Sequence, residues 1–460
     1  MLNTYKCNVH KFHYPHSSGR SIFVLISTLA FAGFSGKAIA NITMQEAVKT
    51  AIYHDPWLTG NQLQERALRA AGKGANVLPD PILSMGLLNV PSNGFAFDQE
   101  PMTQIKVGLA QTFARGDSLV IKQQQLNYQA DEHPYQREDR KAKIKVAVSQ
   151  LWLDAIKADY IIRLIKRDRV LFEQLVDIVK ASYSSAQGNT RQQDVISAQL
   201  ELSRLDDRLT MVNSQRDVAL TNLSEWLSPS AQRAVSETFA CETPLPKFPE
   251  LGNNIKVLLQ RADNIGLLQF LTHHPALLAI EQSVKAGDTA VKLAKQKYKA
   301  QWGVNASYAY RGDDPLGQSR ADFFSIGITV DVPIYGYAKQ DSDMAASRLT
   351  AQTIETEKRL LQQQMLTHML SLYQQKIHLG QREKGFLVSI LPQTQEQADA
   401  SLSAYTNDDG DFSEVMRARI AQLNAQIDLI DIQIEKFKRH MQLGYFFAGS
   451  TNLNKTGEYQ

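Results

Sequence analysis

The residue types that most often do chemistry, histidine and carboxylate, occur here mainly in patterns typical of helix ends. Residues 54–56 read His-Asp-Pro, and residues 273–275 read His-His-Pro, 219 positions later. Histidines can bind a metal ion, but proline suits the first position of a helix and Asp55 is a good helix cap. The sequence contains no HExxH, GxSxG, P-loop, CxxC or paired-carboxylate motif. We therefore predict no enzyme, no metal site and no cofactor.

The first 40 residues have the pattern of an export signal. Basic residues precede an apolar stretch at residues 21–34, and small residues then lead to an Ala-x-Ala sequence ending at Ala40. The alternative, a single anchoring helix, would need a longer apolar stretch. Cleavage would remove four basic residues and no acidic one, which changes the formal net charge from +3 to −1. Cys241 would then be the only cysteine, so no internal disulfide could form.

The composition is that of an ordinary folded chain. Of 460 residues, 43% are hydrophobic and 21% are charged. The small net charge gives no support to nucleic-acid binding, and we predict none. Beyond the N-terminal segment no stretch of about 18 apolar residues occurs, which argues against a membrane protein built from several helical spans.

The mature chain is predicted to be a tandem duplication. Gly108 and Gly327 are 219 residues apart, and Trp152 and Tyr373 are 221 apart, in the same order as the two proline motifs. Several landmarks with a nearly constant offset indicate an internal repeat. The predicted segments are a signal peptide (1–40), a first repeat (41–228), a proline-rich linker (229–262), a second repeat (263–445) and a C-terminal tail (446–460).

Each repeat changes its hydrophobic period twice. A helix-like segment is followed by two short stretches in which apolar residues alternate with small or polar ones, the pattern of a strand with two different faces. Such a pattern over about 10 residues is typical of a membrane β-barrel strand; the alternative is a soluble hairpin. Four strands from one chain cannot close a barrel, so strands from other copies would be needed. The predicted strands cover residues 82–90, 104–113, 302–310 and 324–332.

Long helical segments follow the strands in both repeats. They cover residues 114–181, with a predicted break at 131–134, and residues 338–404. Apolar residues recur in steps of three and four, both here and in the returning segments, which predicts left-handed coiled-coil packing. The connecting turns at 183–190 and 405–412 contain the Gly, Asn and Asp residues that chain reversals favour. A plain helical-hairpin tip explains these turns fully.

Together these features resemble the TolC-type outer membrane efflux factors over essentially the whole mature chain. The sequence departs from the family pattern at residues 114–116, where a proline often follows the aromatic residue. The second tip also has two fewer residues between Gly410 and Val415 than the first has between Gly188 and Val195. Local sequences similar to the cation and heavy-metal efflux branch are LPDP (78–81), NVP (89–91), EPMT (100–103), VGLAQ (107–111), QQDV (192–195) and AQLELS (198–203).

The resemblance implies a mixed α/β membrane protein. Long coiled-coil helices would form a periplasmic α-barrel, and four strands from each chain of a homotrimer would form a 12-stranded transmembrane β-barrel. The trimer would sit among the lipids of the outer membrane of a Gram-negative-type cell. It would passively conduct exported solute, in this branch metal cations, received from a periplasmic adaptor (a membrane fusion protein) and an inner-membrane pump of the RND type.

The resemblance also implies roles for the two tips. Asp408, Asp409 and Asp411 are candidates for the acidic ring that closes the tunnel; the alternative is that these acids in a turn are simply solvated. The alternative function is a periplasmic coiled-coil scaffold or adaptor without channel activity, which would leave the alternating strands unexplained. The candidate adaptor-docking residues are Gly188, Gly410, Tyr183 and Tyr405.

Overall fold

A computed structural model describes residues 42–185, 191–239, 253–407 and 409–449 of the chain. The predicted signal peptide, Gly188, Cys241, Asp408 and residues 450–460 of the predicted tail lie outside these residues. The helices are α1 (Met44–His54), α2 (Pro56–Ala75), α3 (Ser118–Ser184), α4 (Gln192–Ser224), α5 (Pro229–Phe239), α6 (Asn253–Arg261), α7 (Asn264–Leu271), α8 (Pro275–Gln296), α9 (Ala338–Gly385), α10 (Leu391–Thr406) and α11 (Phe412–Tyr445). The strands are β1 (Ile82–Leu88), β2 (Gln104–Thr112), β3 (Trp302–Arg311) and β4 (Phe323–Val330).

The four strands form one antiparallel sheet in the order β1-β2-β3-β4. The β2–β3 pair joins a strand of the predicted first repeat to a strand of the second, with Val107 opposite Tyr308. All four predicted strands are confirmed, with ends that differ by at most two residues. The order helix–helix–strand–strand–helices occurs twice along the chain. The segment boundaries stay a prediction, and two helices, α5 and α6, lie within the predicted linker.

The chain divides into two compact units. We call one the helical unit; it comprises the described residues of 42–54, 144–239 and 375–441. The other, the sheet unit, comprises the described residues of 55–143, 253–374 and 442–449, and it holds the four strands.

Coiled-coil seams form the core of the helical unit. On α4 the buried residues Ala198, Leu205, Val212 and Ala219 recur every seven positions. They pack with buried apolar residues of α3 and α11, as the heptad pattern predicts. A charged residue interrupts the seam of α3: Arg169, whose Nε donates to Asp206 of α4 at 2.7 Å. The buried seam residues of α3 are Ile144, Val148, Ala155, Ala158, Ile162, Ile165, Phe172, Val176 and Val179.

The sheet unit has its own apolar core, which lies among α7, α8 and α9. Leu267 and Leu271 of α7 pack with Met369 of α9 and with Leu443, and all four are fully buried. The first turn of α8 begins at Pro275, as predicted, and His274 caps it by accepting a hydrogen bond from Ala276 N at 3.2 Å. Asp55 caps α2 in the same way, with its Oδ1 3.2 Å from Trp57 N.

The predicted helix break at 131–134 is wrong, because α3 continues through Pro134. Proline inside a helix removes a hydrogen bond and costs about 3 kcal/mol in an isolated helix. Side chains around it bind neighbouring helices and offset that cost. His133 Nδ1 lies 2.8 Å from Asn61 Nδ2 on α2, and Glu132 accepts a 2.6 Å hydrogen bond from Ser283 on α8.

The predicted helix over 338–404 is continuous but contains one wider turn. Residues Phe386–Ile390 form a π-helical segment between α9 and α10, in which Leu391 N–H bonds to the carbonyl of Phe386. Pro392 follows within the first turn of α10 and has no N–H to donate. A single π turn is a known way to absorb such an interruption without ending a helix. Within the described residues, no helix is both long enough and apolar enough to cross a membrane.

Candidate channel-forming sheet and helical tip

One face of the sheet is apolar and exposed. Cross-strand rows run through it, one of which joins Met85, Val107, Tyr308 and Phe324 across all four strands. Met85 is 74% exposed and Phe324 69%. Apolar side chains in such numbers rarely face water over a contiguous patch, so this face indicates contact with another apolar phase. The apolar members of the face are Leu83, Met85, Leu87, Ile105, Val107, Leu109, Trp302, Val304, Ala306, Tyr308, Tyr310, Phe324, Ile326, Ile328 and Val330. Gln111, opposite Val304 near the helix end of β2, is the polar residue on this face.

The opposite face carries small and polar residues. At Gly108 of β2 the neighbouring strands lie close: an added Cβ would be 2.9 Å from Ser84 Oγ on β1 and 3.5 Å from Ser307 Cβ on β3. We call this surface the small-residue face. Larger apolar residues lie on it only toward the strand ends, at Ile82, Leu88 and Phe323. Its remaining members are Ser84, Gly86, Gln104, Lys106, Gly108, Ala110, Thr112, Gly303, Asn305, Ser307, Ala309, Arg311, Ser325, Gly327 and Thr329.

The two hairpin loops, residues 89–103 and 312–322, are tied to each other at one end of the sheet. Arg320 Nη1 donates to the carbonyls of Glu100 at 3.2 Å and Asp98 at 3.4 Å. The rings of Phe97 and Tyr310 stack with centroids 6.2 Å apart. The loops therefore form a single joined rim, which the alternating pattern of the strands gave no signal to predict.

At the other end of the sheet, a charged joint connects strands to helices. Arg115 forms an ion pair with Asp331 and donates to the carbonyl of Lys299 at 3.0 Å. Gly116 has a positive φ of 48°, and an added Cβ there would collide with the Lys299 side chain. This turn therefore requires glycine at position 116.

The second tip, between α10 and α11, is a tight reversal. Asp409 N donates to the carbonyl of Ala404 at 2.9 Å. Tyr405 and the buried Phe412 close the turn with ring centroids 5.5 Å apart. An added Cβ on Gly410 would lie 2.9 Å from Tyr405 N, so the turn has no room for a side chain there.

Of the three predicted gate acids, Asp409 and Asp411 are described and both are exposed. Asp411 caps α11, accepting a 3.2 Å hydrogen bond from Ser413 N at Oδ1. Asp408 lies outside the described residues. At the first tip Tyr183 is 51% exposed on the last turn of α3, whereas Gly188 is also outside the described part of the chain.

Polar pairs link α11 to the neighbouring helices above this tip. Arg419 Nη2 donates to Asp399 Oδ1 of α10 at 3.0 Å, and Arg208 of α4 donates to Asn424 at 2.6 Å. The hydrogen bond from Gln395, assisted by Arg419, lowers the pKa of Asp399 against an opposing effect of burial. The carboxylate therefore stays charged, and the pair stays formed, well below neutral pH.

Lys438 of α11 lies mostly buried between two carboxylates. Its Nζ donates to Asp154 of α3 at 2.5 Å and to Glu435 at 3.0 Å. Burial opposes the charged ammonium, but these hydrogen bonds outweigh it and raise the pKa of Lys438. The sequence patterns did not single out the Lys438–Asp154 contact, because these two residues are 284 positions apart in the chain.

No group of three or more His, Cys, Asp or Glu residues in the described ranges is arranged to hold a metal ion. His274, one of the histidines weighed from the sequence, has both ring nitrogens engaged. Nδ1 accepts from Ala276 N, and Nε2 lies 3.0 Å from the carbonyl oxygen of Tyr445. It therefore serves as a buried helix cap, not as a ligand.

The fold of most of the chain matches solved membrane proteins. It resembles the crystal structure of a membrane protein from Pseudomonas aeruginosa, with a TM-score of 0.73 and 14% identity over 88% of this chain and 90% of that one. It likewise resembles the outer membrane protein VceC from Vibrio cholerae, with a TM-score of 0.70 and 13% identity over 88% and 96% of the two chains. The chain shares its fold with these two membrane proteins.

A third solved structure with this outer membrane fold is the CmeC outer membrane channel from Campylobacter jejuni. Its TM-score is 0.69, with 10% identity over 90% of this chain and 89% of that one. Neither a protein-family model nor a curated protein sequence matches the chain. At identities of 10–14% the likeness is one of fold.

Proposed function

We propose that this chain is the outer membrane channel of a tripartite efflux system and passively conducts exported solute. The observation that carries the proposal is the sheet, with one exposed apolar face and one face of small and polar residues, in a chain that has an outer membrane protein fold. Apolar residues outside and small or polar residues inside are what a barrel around water requires. We propose no catalytic role.

The sheet is incomplete in one chain. Among the described strands, β1 and β4 each pair on one side only, and an unpaired edge is not stable in lipid. We propose that β1 of one copy pairs with β4 of the next, so that three copies close a 12-stranded barrel. The apolar face then meets lipid, and the small-residue face lines the pore.

Exposed apolar side chains on the helical unit support the same assembly. On α4 the residues Ile196, Leu200, Met211 and Val218 are each about half exposed. The π-helical segment exposes Leu387 at 50% and Val388 at 67%. We propose that these two stripes meet between neighbouring copies and close a periplasmic α-barrel, because long apolar stripes on helices seek partners.

The tips are the proposed entrance. In the trimer, Asp408, Asp409 and Asp411 of the three copies would form an acidic ring. Its carboxylates would repel one another and attract cations. Gly188, Gly410, Tyr183 and Tyr405 are the proposed contacts for a periplasmic adaptor, which would connect the channel to an inner-membrane pump of the RND type. The exposed Tyr183 and the tight turn at Gly410 suit a preformed docking surface.

Metal cations are the proposed cargo that the local sequence favours, since residues 78–81, 89–91 and 100–103 resemble the cation-efflux branch. Deletion of the gene should then sensitise cells to metal ions. Unchanged metal tolerance with new sensitivity to organic compounds would reject this cargo and leave the channel proposal intact.

The assembly can be tested by fractionation and native mass measurement. The channel proposal expects the processed protein, without residues 1–40, as a heat-modifiable trimer in outer membrane extracts. A soluble periplasmic monomer would contradict the proposal and would support the alternative, a coiled-coil scaffold or adaptor without channel activity.

A further inference from the structure

The four strands contain two charged residues, Lys106 in β2 and Arg311 at the last position of β3. The side chain of Arg311 is bound to neighbouring groups at the loop end of the sheet. Its Nε donates to the carbonyl of Ala321 at 2.8 Å, its Nη1 donates to the carbonyl of Pro101 at 3.2 Å, and its guanidinium stacks 4.0 Å from the ring of Phe323. Lys106, by contrast, has no hydrogen-bond or ion-pair partner in the part of the chain that the structure describes.

Lys106 lies on the small-residue face. The residues directly opposite it are Gly86 on β1 and Ala309 on β3. The next row along the strands contains Ser84, Gly108 and Ser307. The row on the other side contains Leu88, Gln104 and Arg311. Because none of the residues in these rows is acidic, no carboxylate on the neighbouring strands neutralises the ammonium group. An unpaired charge on a membrane strand is tolerated on the water-filled side, which agrees with the proposed orientation of this face.

We propose that Lys106 is a charge-selectivity residue of the pore. Three copies would form a ring of ammonium groups that attracts anions and repels cations within the β-barrel. The inference rests on the proposed function, because it requires the trimeric barrel. Lys106 is two residues from the loop end of β2, so the ring lies about 7 Å inside the joined rim of the hairpin loops.

The loops next to the ring carry carboxylates, which act in the opposite direction. Asp314 accepts hydrogen bonds from Leu316 N and Gln318 N at 2.9 and 2.7 Å, and Asp322 accepts one from Arg311 N at 2.9 Å. These acids belong to the loops, whereas the strands place two positive charges on the small-residue face, Arg311 bound at the rim and Lys106 without a partner among the described residues. The role of Lys106 is therefore measured best as a difference between variants of one pore.

The sign of the ring bears on the cargo. A fixed positive ring stabilises an anionic solute in transit and is a barrier to a free metal cation, screened by salt. The outer part of this pathway would then favour anionic solutes, which weighs against the metal-cation cargo proposed from the local sequence and contrasts with the acidic tip proposed for the entrance.

Reversal potentials of purified trimers in planar bilayers, under a KCl gradient, test the inference. Lys106→Gln should lower the chloride-to-potassium permeability ratio by about threefold at low ionic strength, and the change should shrink at high salt. Lys106→Glu should lower the ratio further, whereas Lys106→Arg, which keeps the charge, should retain it. Lys292→Gln, the same charge change at an exposed position on α8, is the matched control and should have no effect.

The outcomes separate the two proposals. A conducting Lys106→Gln pore with an unchanged permeability ratio would overturn the role of Lys106 and leave the channel in place. Absence of conductance in the unsubstituted protein would overturn the channel itself, and the ring with it.

Discussion

The phenolic oxygen of Tyr445 lies 2.6 Å from Oδ1 of Asp139, and the Tyr445 hydroxyl donates to that carboxylate. The two residues are 306 positions apart, so the bond fixes the end of α11 to α3 within the sheet unit. Burial, together with the hydrogen bond to Asp139, raises the pKa of Tyr445 far above its usual value, so the hydroxyl remains a donor at every pH of interest.

We expect Tyr445→Phe to destabilise the protein by about 1–3 kcal/mol, because it leaves the mostly buried Asp139 without one of its donors. Lys143 Nζ, 2.7 Å from Asp139 Oδ2, would remain and limit the loss. Thermal unfolding in detergent measures the effect as a lower Tm. Tyr53→Phe, at an exposed tyrosine of α1, is the control, and an equal Tm for both variants would contradict the role of this bond.

His274 makes stability depend on pH. Burial lowers the pKa of His274 below its ordinary value of 6.5, against the hydrogen bond to the Tyr445 carbonyl. The unfolded chain then binds a proton more readily than the folded one, so this stabilisation is complete above pH 6.5 and is lost as the pH falls through the lowered pKa.

Tm measured from pH 7.5 down to pH 5 should therefore fall more steeply for the unsubstituted protein than for His274→Asn, which keeps a capping side chain without the titration. Burial lowers the pKa of His133 in the same direction, so part of the slope should persist in the variant. Parallel curves for the two proteins would contradict the assignment to His274.

Local periodicity predicted much of this fold because each helix or strand buries one face along its whole length, so apolar residues recur at a fixed spacing. The heptad seam of α4, with Leu205 and Val212, could be read directly from the sequence, and so could the alternation of β3 and β4. Pro134 could not be read correctly, because the contacts that keep α3 continuous come from Asn61 and Ser283, distant in sequence.

The candidate site was predictable in part. The faces of the strands follow from alternation, but the isolation of Lys106 depends on register, which sets Gly86 and Ala309 beside it. The ties between the hairpin loops involve backbone carbonyls, such as that of Glu100, and these leave no mark on the sequence.

Substitution of two leucines on α4 should distinguish effects on folding stability from effects on trimer formation. Leu205 is buried in the seam, and Leu205→Ala should cost about 2–5 kcal/mol and lower the Tm. Leu200 is 49% exposed, and Leu200→Ala should leave the Tm of the monomer nearly unchanged but reduce the trimer fraction in native mass measurements. An unchanged trimer fraction would argue against α4 as a contact between copies.

The tip acids should affect ion preference without affecting the fold. In Asp409→Asn/Asp411→Asn, the asparagine at 411 can still cap α11, so only charge is lost. We expect the cation-to-anion permeability ratio to fall by about twofold at low ionic strength. Asp263→Asn, at the aspartate that caps α7, is the control. An unchanged ratio in the double variant would indicate that these acids are only solvated turn residues.

Single-channel recording of the purified, unsubstituted protein in a planar lipid bilayer tests the central claim most directly. We predict stepwise conductance from inserted trimers, since three four-stranded sheets would close around the small-residue faces. Insertion of the protein without any conductance would contradict the channel and favour a scaffold.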